Sequence, residues 1–217
     1  TILFYNFHIV KSRGFTDCRI VGNLEQTVDV YRRRKVDELV IQDIGASRSG
    51  TRLNLQVLEI MSRHCLMPIT YGGGISTLKD IERCLFVGCD KVVINTEALR
   101  RPEFIREAAQ HFGKQCIVLS VDYKRSPEGE PRLYSHAGVD MNDTSVINFV
   151  AMMENFGAGE IILTSVDHDG WMNGYDLDFL AQVTGLLEVS VLANGGCGEP
   201  QHMADSKAYG ASGGCTS

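Results

Sequence analysis

A (β/α)8 barrel made of two similar halves, with its final helix absent from the sequence, is the fold predicted here. Three observations predict it. Residues 67–96, MPITYGGGISTLKDIERCLFVGCDKVVINT, read as strand, glycine turn, helix, strand and polar turn. Adding 122 to each number repeats the pattern without a gap. Gly73 and Gly74 fall on Gly195 and Gly196, Gly88 on Gly210, Asn95 on Ser217, and Glu38-Leu39-Val40-Ile41 on Glu160-Ile161-Ile162-Leu163. Strand and helix patterns also alternate along the whole chain, as a parallel sheet requires. An open doubly wound sheet would satisfy the alternation too, but a halved repeat, about 1–113 and 114–217, closes naturally into a ring.

Taken in order, residues 2–5 form a plausible first strand, and 6–22 a long mixed loop carrying Lys11 and Arg13. A helix over 24–35 leads to a strand at 38–42 that ends in Asp43-Ile44-Gly45-Ala46-Ser47, and 53–63 is helical. The strand 67–71 stops at Gly72-Gly73-Gly74. Thr77-x-x-Asp80 caps the next helix, whose apolar face is Leu78, Ile81 and Leu85 and whose stop is Gly88. Strand 91–94 ends on Asn95-Thr96. Phe104, Ile105, Ala108, Ala109 and Phe112 share one face of a helix over 102–112, which Gly113 ends. Strand 116–121 delivers Asp122, and 123–138, with Pro127-Glu128-Gly129, reads as a hairpin excursion. Helices near 145–156 and 177–187 alternate with strands 160–164, 189–193 and 213–216.

Composition sets the limits of function. With 217 residues, 44% of them hydrophobic, the chain can bury one large core, so one barrel domain is expected. A net charge of −6 argues against nucleic acid or an anionic membrane as the main partner. Phosphate recognition must then be local, through turns and a few basic side chains. No apolar run approaches about 18 residues and no signal-peptide pattern opens the chain, so a soluble cytoplasmic protein is expected. Seven cysteines form no C-x-x-C and leave an odd count, which fits reduced thiols used as small core residues. Both ends look incomplete: there is no initiator Met, and the second repeat stops at Ser217.

In a barrel, the strand C-termini meet at one mouth, where chemistry sits. The candidates there are Asp43, Gly72, Gly73, Gly74, Asn95, Thr96, Asp122, Asp167, Asp169, Gly170, Asn194, Gly195, Gly196 and Ser217. Glycine turns expose backbone N–H groups, so the two repeated turn pairs suggest a phosphate at each end of one substrate. Glycines that merely make tight turns are the plainer alternative. Asp122 follows five uncharged residues, so a buried strand places it where it could act as acid or base. A helix cap or structural ion pair is the plainer alternative. Asp167-His168-Asp169 lacks ligand spacing, because neighbouring strand-end residues point apart and no second His stands at the right interval. Neither a metal nor a cofactor is expected. Trp171, the only tryptophan, could stack on a ligand or pack a lid. At the opposite end Glu38, Lys91 and Glu160 begin strands two, four and six, and could meet in a ring or stand as ordinary solvated strand ends.

DELVIQDIGAS, ITYGGGI, GCDKVVINTEA, VDYKR, GAGEIILTSVDHDG and NGGCG together resemble the HisF family, the cyclase subunit of imidazole glycerol phosphate synthase, over nearly the whole chain. The resemblance implies a (β/α)8 barrel that forms a heterodimer with a HisH-like glutaminase docked on its bottom face. Ammonia from that partner passes through the barrel to a bis-phosphorylated substrate at the top. It also implies one phosphate site at Gly74, Asn95 and Thr96, and another at Asp169, Gly170, Gly196 and Ser217. Lys11 matches a substrate-binding lysine, Asp122 a catalytic aspartate, and Asp90 a residue at the glutaminase interface. Glu38, Lys91 and Glu160 match the ammonia gate, whose arginine would lie upstream of Thr1. Two departures stand out. Aligning Ile9-Val10-Lys11 with the family's first loop puts its other catalytic aspartate on Leu3, and VDMNDTS (139–145) replaces a lysine-containing loop. Residues 1–12 are similar to a diverged branch associated with surface-polysaccharide genes, which implies relay of ammonia for amidine formation on a sugar.

Overall fold

The structure, a computed structural model, describes residues 1–49, 53–135 and 144–216. It begins β1 (Ile2–Tyr5), β2 (His8–Arg13), β3 (Thr16–Gly22), α1 (Leu24–Arg33), β4 (Leu39–Asp43), α2 (Ile44–Ser49), α3 (Leu55–His64), β5 (Ile69–Gly72) and α4 (Leu78–Val87). It continues β6 (Lys91–Ile94), α5 (Thr96–Arg100), α6 (Glu103–Phe112), β7 (Ile117–Arg125), β8 (Pro131–Leu133) and α7 (Val146–Phe156). The last elements are β9 (Glu160–Ser165), α8 (Leu177–Thr184), β10 (Ser190–Asn194), α9 (Pro200–Ala208) and β11 (Gly213–Gly214). Eight strands lie side by side in the order β1-β4-β5-β6-β7-β9-β10-β11, each pair parallel. The ends of the sheet meet where the Thr1 backbone nitrogen donates to the Thr216 carbonyl. This is the (β/α)8 barrel.

Local chemistry sets the helix limits. In α4 the Thr77 hydroxyl accepts from the Asp80 N–H while the Asp80 carboxylate accepts from the Thr77 N–H, and Gly88, at φ 116°, turns the chain out. Ile81 and Cys84 face inward from this helix and join the main core between helices and sheet.

Strand alternation builds the interior in layers. Lys91 on β6, Glu160 on β9 and Glu38, one residue before β4, form the bottom layer. Two residues on, Val40, Val93 and Ile162 form an apolar cluster with Val118 and Cys215, separate from the outer core. Two further on, Gln42, Asn95 and Thr164 line the upper cavity.

The structure corrects the sequence reading in several places. Residues 6–22 are two antiparallel strands rather than a loop. Asn6-Phe7 and Gly14-Phe15 make the turns, with φ of 47°, 63°, 53° and 64°, the left-handed pairs that two-residue hairpins use. Phenylalanine is a poor residue for that conformation, so the sequence carries only half the turn signal. α2, α5 and α9 are helices where no separate helix was assigned, and α1 ends at Arg33 rather than at 35. β7 runs through Asp122 to Arg125, because β8 pairs with it. β11 is shorter than the 213–216 expected. Most of VDMNDTS, and Ser217, lie outside the described residues. Among the described residues no helix is long and apolar enough to cross a membrane.

Candidate functional site

A cavity of about 350 Å³ opens at the C-terminal ends of the barrel strands. Asp122, half-buried, stands on its wall among polar side chains. Asn95 Nδ2 donates to Asp122 Oδ2 at 3.0 Å, and the Ser120 hydroxyl lies 3.5 Å from Oδ1. Asn95 also donates to the Ser120 carbonyl at 3.0 Å, which fixes its amide plane. Thr164 bonds Asp122 and accepts from Asn194 Nδ2 at 3.1 Å. Burial pushes the Asp122 carboxyl up to about 7, against these hydrogen bonds, and the charge of Asp169 pushes the same way. A carboxyl that titrates there can give or take a proton at neutral pH.

The cavity gathers some of the sequence candidates and leaves others out. Asp43, Gly72, Gly73, Gly74, Asn95, Thr96, Asp122, Asp169 and Asn194 line it. Asp43 also accepts from the Gly45 and Ala46 N–H groups at 3.0 and 3.2 Å, and burial raises its carboxyl pKa. Burial likewise raises Asp169, which accepts from the Ser12 hydroxyl at 3.3 Å. Gly170 sits under the Ser12 carbonyl, Gly195 under that of Ser165, and Gly196 against Gly174, none of them on the cavity wall. Lys11 lines a smaller depression beside Thr1, Tyr31 and Arg34. Asp167 accepts from the Arg125 N–H, and His168 Nδ1 lies 2.8 Å from the Ser165 hydroxyl. Trp171 is exposed, with the Arg13 guanidinium 5.4 Å from its ring centre. Among the described residues no group of three or more His, Cys, Asp or Glu could hold a metal ion.

Several wall residues were not singled out from the sequence: Gln42, Ser120, Thr164 and Arg100. Gln42 and Thr164 stand 122 apart, and Ser120 shares the inward face with Asp122, so repeat and alternation together held the signal for three of them. Leu3 also lines the cavity, so an apolar side chain shares the space with Asp122.

At the bottom, Lys91 Nζ donates to Glu38 Oε2 at 2.8 Å and to Glu160 Oε2 at 3.0 Å, and the Thr70 hydroxyl donates to Glu38 Oε1. Burial disfavours the Lys91 charge, but the two carboxylates outweigh it and its pKa stands above the usual lysine value. Burial raises Glu160, whose Oε1 is buried without a partner among the described residues. Asp90, exposed on the same end, accepts from the Ile69 N–H at 2.9 Å and so ties the starts of β5 and β6. Two large apolar side chains stand out there, Phe86 at 90% exposure and Leu66 at 81%, each in a segment that leads into a strand start.

A family model described as histidine biosynthesis protein matches residues 7–216. A putative imidazole glycerol phosphate synthase subunit hisF2 from Campylobacter jejuni is 40% identical over 210 residues, covering 97% of this chain and 83% of the relative. Imidazole glycerol phosphate synthase subunit HisF from Methanopyrus kandleri is 38% identical over 215 residues, covering 91% of this chain and 79% of the relative.

Proposed function

The chain belongs to the histidine biosynthesis protein family, among its HisF-type subunits of imidazole glycerol phosphate synthase, and we propose that it uses ammonia from a glutaminase partner on a bis-phosphorylated substrate. One observation carries the reading: a continuous inward-facing series from the Glu38–Lys91–Glu160 ring, through the apolar layer, to Asp122. Ammonia enters past the ring. Neutral ammonia crosses the apolar layer readily, whereas ammonium would lose its hydration there. The Gly73–Gly74 turn with Asn95 and Thr96 receives one phosphate. Asp169 borders the other phosphate, where the Gly170 and Gly195–Gly196 turns must open to present their N–H groups and Lys11 must swing from its depression beside Thr1 to reach the substrate. Asp122 transfers the proton. The glutaminase docks on the bottom face around Asp90, where exposed Phe86 and Leu66 offer the apolar contact.

Leu3 supports a second reading. Cyclisation in the family takes an acid and a base, and a leucine in the same cavity as Asp122 is neither. General acid–base help is worth ~10²–10⁴-fold per group, so the histidine-pathway intermediate should bind yet turn over slowly with ammonium as nitrogen source. The chain would then conduct ammonia for amidine formation on a surface-polysaccharide sugar. Complementation of a strain lacking the histidine-pathway cyclase separates the two readings. Growth supports the cyclase, and failure by a well-expressed protein supports the conduit. In vitro at saturating ammonium, Leu3→Asp should raise a low wild-type rate. A wild-type rate near the ~10 s⁻¹ typical of enzymes would show that Leu3 does not stand where the missing acid–base group belongs.

A further inference from the structure

We propose that Arg100 is a specificity-determining residue of this cavity, a guanidinium clamp for the phosphate seated against Gly73–Gly74 and Thr96; this rests on the bis-phosphate reading above. The cavity wall carries four carboxylates, Asp43, Glu97, Asp122 and Asp169, and Arg100 is its one cationic side chain among the described residues. Those carboxylates oppose a dianion held on backbone N–H groups, so a compensating positive charge nearby favours its binding.

Position and pairing mark Arg100 for that role. It lies four residues after Thr96 on α5, one helical turn on, so both project from the same face, and both line the cavity. The surrounding charges are otherwise engaged. Glu97 pairs with Arg101 at 3.3 Å, and Arg101 pairs again with Glu107 at 3.2 Å. Arg100 is exposed, with no ion-pair partner among the described residues. A planar guanidinium matches two phosphate oxygens at once, which a lysine ammonium cannot do. The ligand end it selects is a phosphate monoester rather than a carboxylate or a neutral sugar.

Isothermal titration of the whole chain with inorganic phosphate, and separately with ribulose 5-phosphate, tests the assignment. Arg100→Ala should weaken binding of both probes about ten- to hundredfold, Arg100→Glu should weaken it more, and Arg100→Lys should restore part of it. Arg83→Ala, an exposed charge on α4 that does not line the cavity, should leave both affinities within about twofold. Arg100 and Arg83 are exposed, so unfolding midpoints of all four variants should match wild type. If wild type binds and Arg100→Ala binds equally well, the clamp is wrong while the bis-phosphate reading stands. Equal weakening by Arg83→Ala would reduce the effect to general charge and overturn the clamp. If wild type binds neither probe, both readings fall together.

Discussion

The turn at Gly73–Gly74 in the first half and the turn at Gly195–Gly196 in the second share one backbone and differ in their surroundings. All four glycines have positive φ, 121° and 70° in the first pair, 86° and 109° in the second. A Cβ on Gly73 would stand 2.6 Å from the Asp43 carbonyl, and one on Gly195 2.5 Å from the Ser165 carbonyl. Asp43 and Ser165 are themselves 122 apart, so the repeat reproduces the contact as well as the turn. Accessibility is another matter. The first turn faces the cavity. In the second, the Gly196 carbonyl accepts from the Gly174 N–H at 2.9 Å, and a Cβ on Gly196 would lie 2.0 Å from the Gly174 carbonyl. The chain's own loop covers it. A glycine pair in sequence thus reports a backbone shape, and a distant segment decides whether a ligand can reach it.

The halves meet chemically at Asp122, and the largest effect is expected there. Asp122 lies in the second half and takes a hydrogen bond from Asn95 of the first. Its folded-state pKa of about 7 stands above the ordinary 3.8, so the folded protein holds the proton more tightly than the unfolded chain. Stability is therefore full at low pH and falls as pH rises from about 4 to 7, by on the order of 4 kcal/mol. Urea unfolding across that window should show the fall, and Asp122→Asn should flatten it. A wild-type curve already flat would mean that water reaches Asp122 freely and that the two halves do not enclose it.

The glycine turns sharpen the comparison directly. Gly73→Ala and Gly195→Ala should each destabilise by about 1–3 kcal/mol or more, and by similar amounts, because each forces a left-handed alanine against a carbonyl. Phosphate affinity should respond to Gly73→Ala more than to Gly195→Ala. Titration of both variants checks this, and an equal loss would show that the covered turn opens to receive the anion.

At the bottom the halves are joined by one cation. Lys91→Met leaves Glu38 and Glu160 facing each other and should cost about 2 kcal/mol, less than a fully buried pair because all three side chains keep some solvent. Without Lys91 the folded-state pKa of Glu160, already raised, rises further. The defect should therefore be small at low pH and grow as pH rises through that value, which unfolding midpoints at pH 4 and 8 can read.

The smallest effect on folding is expected at Phe86, fully outside the barrel contacts. Phe86→Asp should change stability by no more than about 0.5 kcal/mol, yet weaken association with a co-expressed glutaminase. Unchanged co-purification would move the interface off this face. Asp90→Lys is a less clean probe, because Asp90 also holds the Ile69 N–H.

The sequence by itself determined the parallel strands, the Thr77–Asp80 cap with its Gly88 stop, and the 122-residue repeat. Each is set by neighbours within one or two turns of chain, or by a period that survives in the letters. Strand alternation puts 38, 40 and 42 on one side of the sheet, and only the closed ring shows that this side is the inner one. Tertiary structure decided the rest. Phe7 and Phe15 accept left-handed backbone only because the hairpins they turn are held in the sheet and, at Gly14, by the Asp169 carbonyl. That Lys91 reaches both Glu38 and Glu160, that Arg100 has no carboxylate partner among the described residues, and that Asp122 is enclosed enough to hold its proton are all sums over residues far apart in the chain. Burial and pairing energies depend on what the closed ring brings near, and no local pattern of residues encodes that.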